Sequence, residues 1–345
     1  MKGIVGVCGF YKSGSSAVCD LLREFEDAQV LGDTEFRIIR DPSGLMDLGY
    51  YLSNRYQFEP NFIAIRRFRE LMECVIYPKL EQATNGKIRD LTEEFLQNIV
   101  QVQWTGLSLE KQFTQLTPTQ ISRCKFYQRI IKNLIRRKMP YKWLYNIHMR
   151  LFLQNFEAAM FVDDYEKHAR AYICNILNEM GRDLDKTTIL DQVFDACCPI
   201  VSFKFFDSPK AIIVNRDPRD QYLYWKTVLF PKMGAILKMP IDNVDNFIKY
   251  YRITRKGLKD LENHDDVLTI DYESLFYDYE NSVDKLSDFV GLKHHTRKGT
   301  FFNPSDFNKH TRLFNSFPEF NDDIEKIKSE LPEFLFPFES FPDIA

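Results

Sequence analysis

Apolar positions change their period along the first forty residues in a way that defines alternating elements. Gly3–Cys8 is a short apolar run bounded by glycines, the pattern of a strand buried on both faces. From Ser16 to Phe25 the apolar residues fall at Val18, Leu21, Leu22 and Phe25, which is helical spacing. A second short strand is expected near Gln29–Leu31. Farther on, Lys210–Asn215 (KAIIVN) and Asp266–Ile270 (DVLTI) are again short apolar runs, each followed by a helical pattern. One such helix is expected over Ser274–Val290, stopped by Gly291. Strands separated by helices imply an α/β fold with a parallel sheet and right-handed crossovers.

Between about Asp47 and Lys186 the texture changes to long helical patterns, with helices expected over Pro60–Cys74, Leu91–Val102, Ile121–Lys138 and Asp163–Met180. No Gly/Ser-rich linker isolates this block. It is expected to be a helical insertion covering the sheet, within one domain spanning residues 1–345. From Lys111 to Phe156 there are ten basic residues and no acidic one. A solvated helix face answered by carboxylates elsewhere is the plainer reading; a peripheral contact with an anionic surface or substrate is the sharper one.

Composition narrows the setting. The net charge of −3 by itself argues neither for nor against a nucleic-acid partner, and none is expected. Aromatic residues make up 14% of the chain, enough to line a cleft or to fill a core. The seven cysteines are scattered and lack metal-ligand spacing, so they read as free thiols of a reducing compartment. The chain opens on a strand pattern at Ile4–Val7 with no charged-then-apolar leader. No apolar run approaches the roughly 18 residues that cross a bilayer. A cytoplasmic location is expected.

The candidate chemistry starts at Gly9–Ser16 (GFYKSGSS), between the first strand and the first helix. A loop there presents backbone N–H groups and a helix N-terminus to an anion. Gly9 and Gly14 allow close backbone approach, Ser13, Ser15 and Ser16 add hydroxyls, and Lys12 adds a full charge. A Walker A lysine follows the second glycine directly; here Ser15 holds that place and the lysine lies two residues before Gly14. The offset moves the charge along a phosphate chain, away from ordinary ATPase chemistry. A Gly/Ser turn capping the helix through Ser15 or Ser16 is the structural alternative. The second candidate is Arg216, at the end of the Lys210–Asn215 strand, with Pro218 placed to open a helix. Open α/β sheets bind ligands at that strand end.

These residues resemble the sulfotransferase superfamily. Phe10–Ser16 (FYKSGSS) is similar to the family's phosphosulfate loop, Tyr-Pro-Lys-Ser-Gly-Thr-Thr, with Tyr11 replacing the proline and serines replacing the threonines. The resemblance implies a P-loop NTPase-like three-layer fold, 3′-phosphoadenosine 5′-phosphosulfate (PAPS) as donor, and no metal. It gives Lys12 the bridging oxygen of the phosphosulfate, and Ser13, Gly14, Ser15 and Ser16 the 5′-phosphate. Arg216-Asp-Pro218 is similar to the 3′-phosphate signature, with Tyr224 where the family has a serine. Leu268–Leu275 (LTIDYESL) looks like a family strand-to-helix segment. The stretch Phe302–Arg312 resembles a late loop over the 3′-phosphate and adenine, with Asn308, Lys309 and Arg312 as its polar contacts. Arg297-Lys298-Gly299 matches a triplet that other members use on the same phosphate.

Sulfuryl transfer needs in-line attack by an acceptor oxygen and removal of its proton. Glu35, just past the second strand, is the expected base; glycan sulfotransferases carry a glutamate at about this distance after the loop. A surface pairing with Arg37 or Arg40 is the other reading of Glu35, and His148 is the alternative base. The acceptor implied is a hydroxyl compound, a carbohydrate first and a sterol-like or phenolic molecule second. Two other classes stay open. One is a P-loop phosphotransferase using Mg·ATP, with Asp217 as its strand-end carboxylate. The other is a nucleotide-responsive binding module without chemistry.

Overall fold

The computed structural model describes residues 3–54, 58–73, 78–107, 153–233, 242–261, 263–307 and 311–341, together with residues 126, 129, 130, 133 and 240. Strand β1 (Ile4–Gly9) leads through the loop into helix α1 (Ser15–Arg23) and strand β2 (Ala28–Val30). Helices α2 (Leu45–Asn54), α3 (Phe58–Glu73) and α4 (Ile88–Ile99) follow, then strands β3 (Val102–Leu107) and β4 (Leu153–Ala158) and helix α5 (Tyr165–Glu179). Strand β5 (Thr187–Asp191), strand β6 (Lys210–Asn215), helix α6 (Pro218–Leu223), helix α7 (Val244–Thr254), strand β7 (Val267–Asp271), helix α8 (Tyr279–Val290) and helix α9 (Asn321–Glu330) complete the labelled elements.

The sheet order is β2-β5-β1-β6-β7, with every neighbouring pair parallel. Alternate residues of β1 serve opposite layers, as the pleat requires. Val5 and Val7 pack with Val18, Leu21 and Leu22 of α1 and Leu286 of α8. Ile4 and Cys8 pack on the other side, with residues of α2, α3, α4 and α5. This is the three-layer P-loop-like α/β arrangement. Each fully buried leucine of α1 contributes about 1.5–3 kcal/mol relative to exposure. A third cluster joins Tyr222, Trp225, Phe247 and Tyr251 to Leu313 and to Ile324 and Ile327 of α9. It holds the C-terminal segment against α6 and α7.

Three expectations need correction. The block between β2 and β5 is not wholly helical, because β3 and β4 form an antiparallel pair running from Val102↔Ala158 to Leu107↔Leu153. Cross-strand stacking of Trp104 on Phe156, with centroids 5.1 Å apart, helps fix its register. The helix of Leu91–Val102 therefore ends early, at Ile99. Second, β5 was not anticipated at all: Thr187–Asp191 carries only two large apolar residues. Third, the expected Ser274–Val290 helix breaks at Asp278 (φ −136°, ψ 50°). There the Ser274 carbonyl accepts both the Asp278 N–H and the Ser282 hydroxyl. Its end is as expected, with Gly291 left-handed at φ 83°. The Ile121–Lys138 helix and nearly all of the basic 111–156 stretch lie outside the described residues. Among the described residues, no helix is long and apolar enough to cross a membrane.

Candidate active site

The registers Val7↔Asp191, Gly9↔Val214 and Asn215↔Asp271 bring the carboxyl ends of β5, β1, β6 and β7 to one edge. A cleft of about 590 Å³ opens there, lined among others by Lys12, Gly14, Ser15, Ser16, Glu35, Asp191, Arg216 and Tyr224. Seven of the sequence-derived candidates thus meet in one place: Lys12, Gly14, Ser15, Ser16, Glu35, Arg216 and Tyr224.

The loop is held from behind by side chains distant in sequence. Gln221 Nε2 and Trp225 Nε1 donate to the Tyr11 carbonyl at 2.8 and 3.2 Å. Arg216 Nη1 donates to the Lys12 carbonyl at 3.1 Å. The buried Arg255 guanidinium stacks on the Phe10 ring, 3.8 Å from its centroid, and donates to Asn215 Oδ1 and Gln221 Oε1. With these carbonyls turned into the protein, Lys12 is fixed in the left-handed region at φ 58°. A non-glycine residue there is held by its surroundings at some cost, a state often met at functional sites. Helix α1 starts with no side-chain cap and no acidic residue in its first turn, so its N-terminal N–H groups and dipole favour an anion. The capping role considered for Ser15 or Ser16 is absent.

Ser13 departs from expectation. Its hydroxyl donates to the Val214 carbonyl at 2.7 Å and its N–H to the Phe10 carbonyl, and the residue is buried. It braces the loop on β6 instead of facing the cleft.

On the β6 side, Arg216 is buried, with its guanidinium between the rings of Tyr224 and Tyr272, 4.8 and 4.9 Å from their centroids. The aromatic replacement at 224 is thus a stacking partner for the arginine. Beneath lies an acidic group. Asp217 pairs with Arg219 at 2.7 Å and accepts the Phe336 N–H at 2.9 Å. Asp220 and Glu273 are both buried, and desolvation, then the neighbouring carboxylates, pushes each toward its neutral form. Since both oxygens of Asp217 are bonded inside the protein, it does not serve as the metal-facing carboxylate of the phosphotransferase alternative.

The late loop also differs. Asp220 accepts the N–H groups of Arg312 and Leu313 at 2.8 and 2.7 Å, while Arg312 Nη2 donates to the Phe338 carbonyl at 3.0 Å. The Arg312 side chain therefore ties down the C-terminal segment and does not line the cleft. Arg297 donates to the Phe25 carbonyl and Lys298 pairs with Glu280, so this triplet is also turned elsewhere. Asn308, Lys309 and His148 lie outside the described residues.

On the β5 side stand Asp191 and Gln192, which the sequence reading missed. Arg40 donates to the carbonyl and side-chain oxygen of Gln192 at 2.8 and 3.0 Å. Gln192 Nε2 in turn reaches the Ser15 hydroxyl at 2.8 Å. Glu35 pairs with Arg37 at 3.1 Å, and Arg37 also with Asp41 at 2.8 Å. Glu35 is thus paired with Arg37, as its surface reading has it, and also lines the cleft. Asp191, last residue of β5, is pushed up to about 6, chiefly by burial and then by the charge of Glu35. Recognising β5 would have exposed Asp191, because a strand-end carboxylate beside the first strand is a strong positional signal.

Fold and cleft together define a P-loop-like α/β protein that presents cations and helix N–H groups at the carboxyl edge of its sheet. The family model described as a sulfotransferase domain matches residues 198–315, which include β6, Arg216 and β7. That match covers about a third of the chain and makes this segment similar to a sulfotransferase domain. Among solved structures it is similar to the sulfotransferase domain from the curacin biosynthetic pathway, at 11% identity over 97% of this chain and 99% of that one, with a TM-score of 0.46. It is similar also to the sulfotransferase domain of the Synechococcus olefin synthase, at 14% identity over 92% and 84% of the two chains, TM-score 0.40. A Mycobacterium tuberculosis sulfotransferase matches at 12% identity over 90% and 77%, TM-score 0.34. No curated protein sequence matches the chain significantly.

Proposed function

We propose that the chain moves a sulfuryl group from PAPS to the hydroxyl of a polar acceptor, a carbohydrate first. The observation that carries this reading is the bond between Arg216 and the Lys12 carbonyl. It joins two cationic residues across one loop, one for each end of a donor that carries a phosphosulfate and a separate phosphate. Lys12 and the N–H groups opening α1 would take the phosphosulfate, and Arg216 the 3′-phosphate. The β5 side carries Glu35, Arg37, Arg40 and Asp191, a lining that supports a polyhydroxylated acceptor over a sterol or phenol. Free thiols at Cys8, Cys19, Cys174, Cys197 and Cys198 support a reducing, cytoplasmic setting.

The P-loop phosphotransferase reading keeps one support, Asp191, which stands where such enzymes place a magnesium-holding carboxylate. Thermal denaturation separates the two. Adenosine 3′,5′-bisphosphate is expected to raise the midpoint in the presence of EDTA, and Arg216→Gln to weaken that binding by about tenfold or more. Stabilisation by Mg·ATP alone would sink the sulfuryl-transfer reading. Labelled PAPS offered to a panel of oligosaccharides, phenols and sterols then reads the acceptor class, with label on an oligosaccharide expected.

A further inference from the structure

We propose that Asp191 is the group that takes the proton from the acceptor hydroxyl, and that Glu35 is the neighbouring charge that tunes it. This rests on the sulfuryl-transfer reading above and refines the choice of base within it.

Asp191 ends β5, in register with Val7 of the adjacent strand β1, so its carboxylate flanks the loop that carries Lys12. The nearby Ser15 hydroxyl favours its ionised form, while its buried Oδ1 accepts no hydrogen bond from the described residues. Asp191 thus lines the cleft while carrying a side-chain oxygen that no described protein donor satisfies. A buried acceptor with no donor is costly unless something supplies a proton or a hydrogen bond. An acceptor hydroxyl does both.

Glu35 has different surroundings. Its Oε2 is bonded to Arg37, and half of its side chain is exposed. The Phe36 N–H donates to the Asp191 carbonyl at 2.8 Å, which fixes Glu35 beside Asp191 as a second negative charge. Burial and Glu35 push Asp191 up to about 6, Asp20 adds to this, and Ser15 and Arg40 act the other way. The thiols of Cys8 and Cys19, on β1 and α1, also interact with this carboxylate and are held neutral by burial. A carboxylate in that range is ionised at neutral pH yet more basic than an ordinary aspartate, as a general base requires.

In the step, the acceptor O–H bond breaks and its proton passes to Asp191. The freed oxygen pair forms the new bond to sulfur. The bond from sulfur to the bridging phosphate oxygen breaks, its electrons staying on the bisphosphate beside Lys12. The proton then leaves Asp191 for solvent.

The test uses the full chain, with methyl β-glucoside as the probe alcohol and water as the acceptor otherwise present; release of adenosine 3′,5′-bisphosphate from PAPS is the readout. Asp191→Asn is expected to keep bisphosphate-induced stabilisation and to lose at least about 100-fold in turnover. The wild-type rate should fall as pH drops through about 6. Glu35→Gln should retain turnover within about tenfold and move that acid limb to lower pH, since one charge opposing ionisation of Asp191 is gone. Wild-type turnover in Asp191→Asn overturns the assignment. So does a Glu35→Gln enzyme with neither turnover nor acid limb, which makes Glu35 the base. Stabilisation by Mg²⁺ alone that vanishes in Asp191→Asn also overturns it, because the carboxylate then holds a cation. Failure of the bisphosphate to stabilise the wild type is a separate result, against sulfuryl transfer itself.

Discussion

Lys12→Met is expected to lower sulfuryl transfer by about 100- to 1,000-fold while changing affinity for adenosine 3′,5′-bisphosphate only a few-fold. The range is what loss of one preorganised charge at a developing anion costs. Charge builds on the bridging oxygen as the bond to sulfur breaks, so the ammonium matters most at the transition state and least once the product phosphate is bound by other donors. Methionine is the informative replacement because it nearly matches lysine in length and suits the position equally well or badly. Lys12 sits at φ 58°, and both residues meet the same backbone cost there. Lys12 is exposed and in no ion pair among the described residues, so its loss should leave the thermal midpoint nearly unchanged. Turnover from labelled PAPS and a bisphosphate titration by thermal shift give the two numbers. Undiminished turnover would remove Lys12 from the chemistry, and an equal loss in both would make it a binding residue only.

What the sequence disclosed, and what it did not, follows from how local each signal is. The loop, α1, β6 and Arg216 could be read because glycine, proline and apolar spacing over ten residues report backbone conformation directly. Strand β5 escaped because Ile189 and Leu190 are its only large apolar residues, and the threonines before them also suit a turn or helix start. Asp191 was lost with it. The strand pair β3/β4 escaped for a different reason: its partners are about fifty residues apart and its pairing is recorded in no local period. Ser13 and Arg312 show a third limit. Their residue types fit anion binding, but the Val214 carbonyl and the carbonyl of Phe338 claim them. Those acceptors reach them only once β6 and the C-terminal segment have packed. Residue identity announces a capability, and tertiary neighbours decide where it is spent.

The same dependence makes Gly14 the most sensitive backbone position of the cleft. Gly14→Ala is expected to destabilise the protein by about 2–5 kcal/mol and to weaken bisphosphate binding by about tenfold or more, summing backbone strain and overpacking. Gly14 has φ 102°, and a Cβ there would lie 2.1 Å from Cδ2 of Tyr272. That ring has little room to yield. Tyr272 is 4% exposed, packs edge-on against Phe276 with centroids 5.0 Å apart, and supports the Arg216 guanidinium. Pushing it aside moves the arginine proposed for the 3′-phosphate, so stability and binding should fall together. The double variant Gly14→Ala/Tyr272→Ala separates the causes. If the clash dominates, removing the ring should recover part of the stability that each single change loses, a coupling of about 0.5–3 kcal/mol. If left-handed strain dominates, the two losses should simply add. A Gly14→Ala protein with wild-type midpoint and wild-type bisphosphate affinity would mean that the loop does not meet Tyr272 as described, and the link between the loop and Arg216 would fall with it.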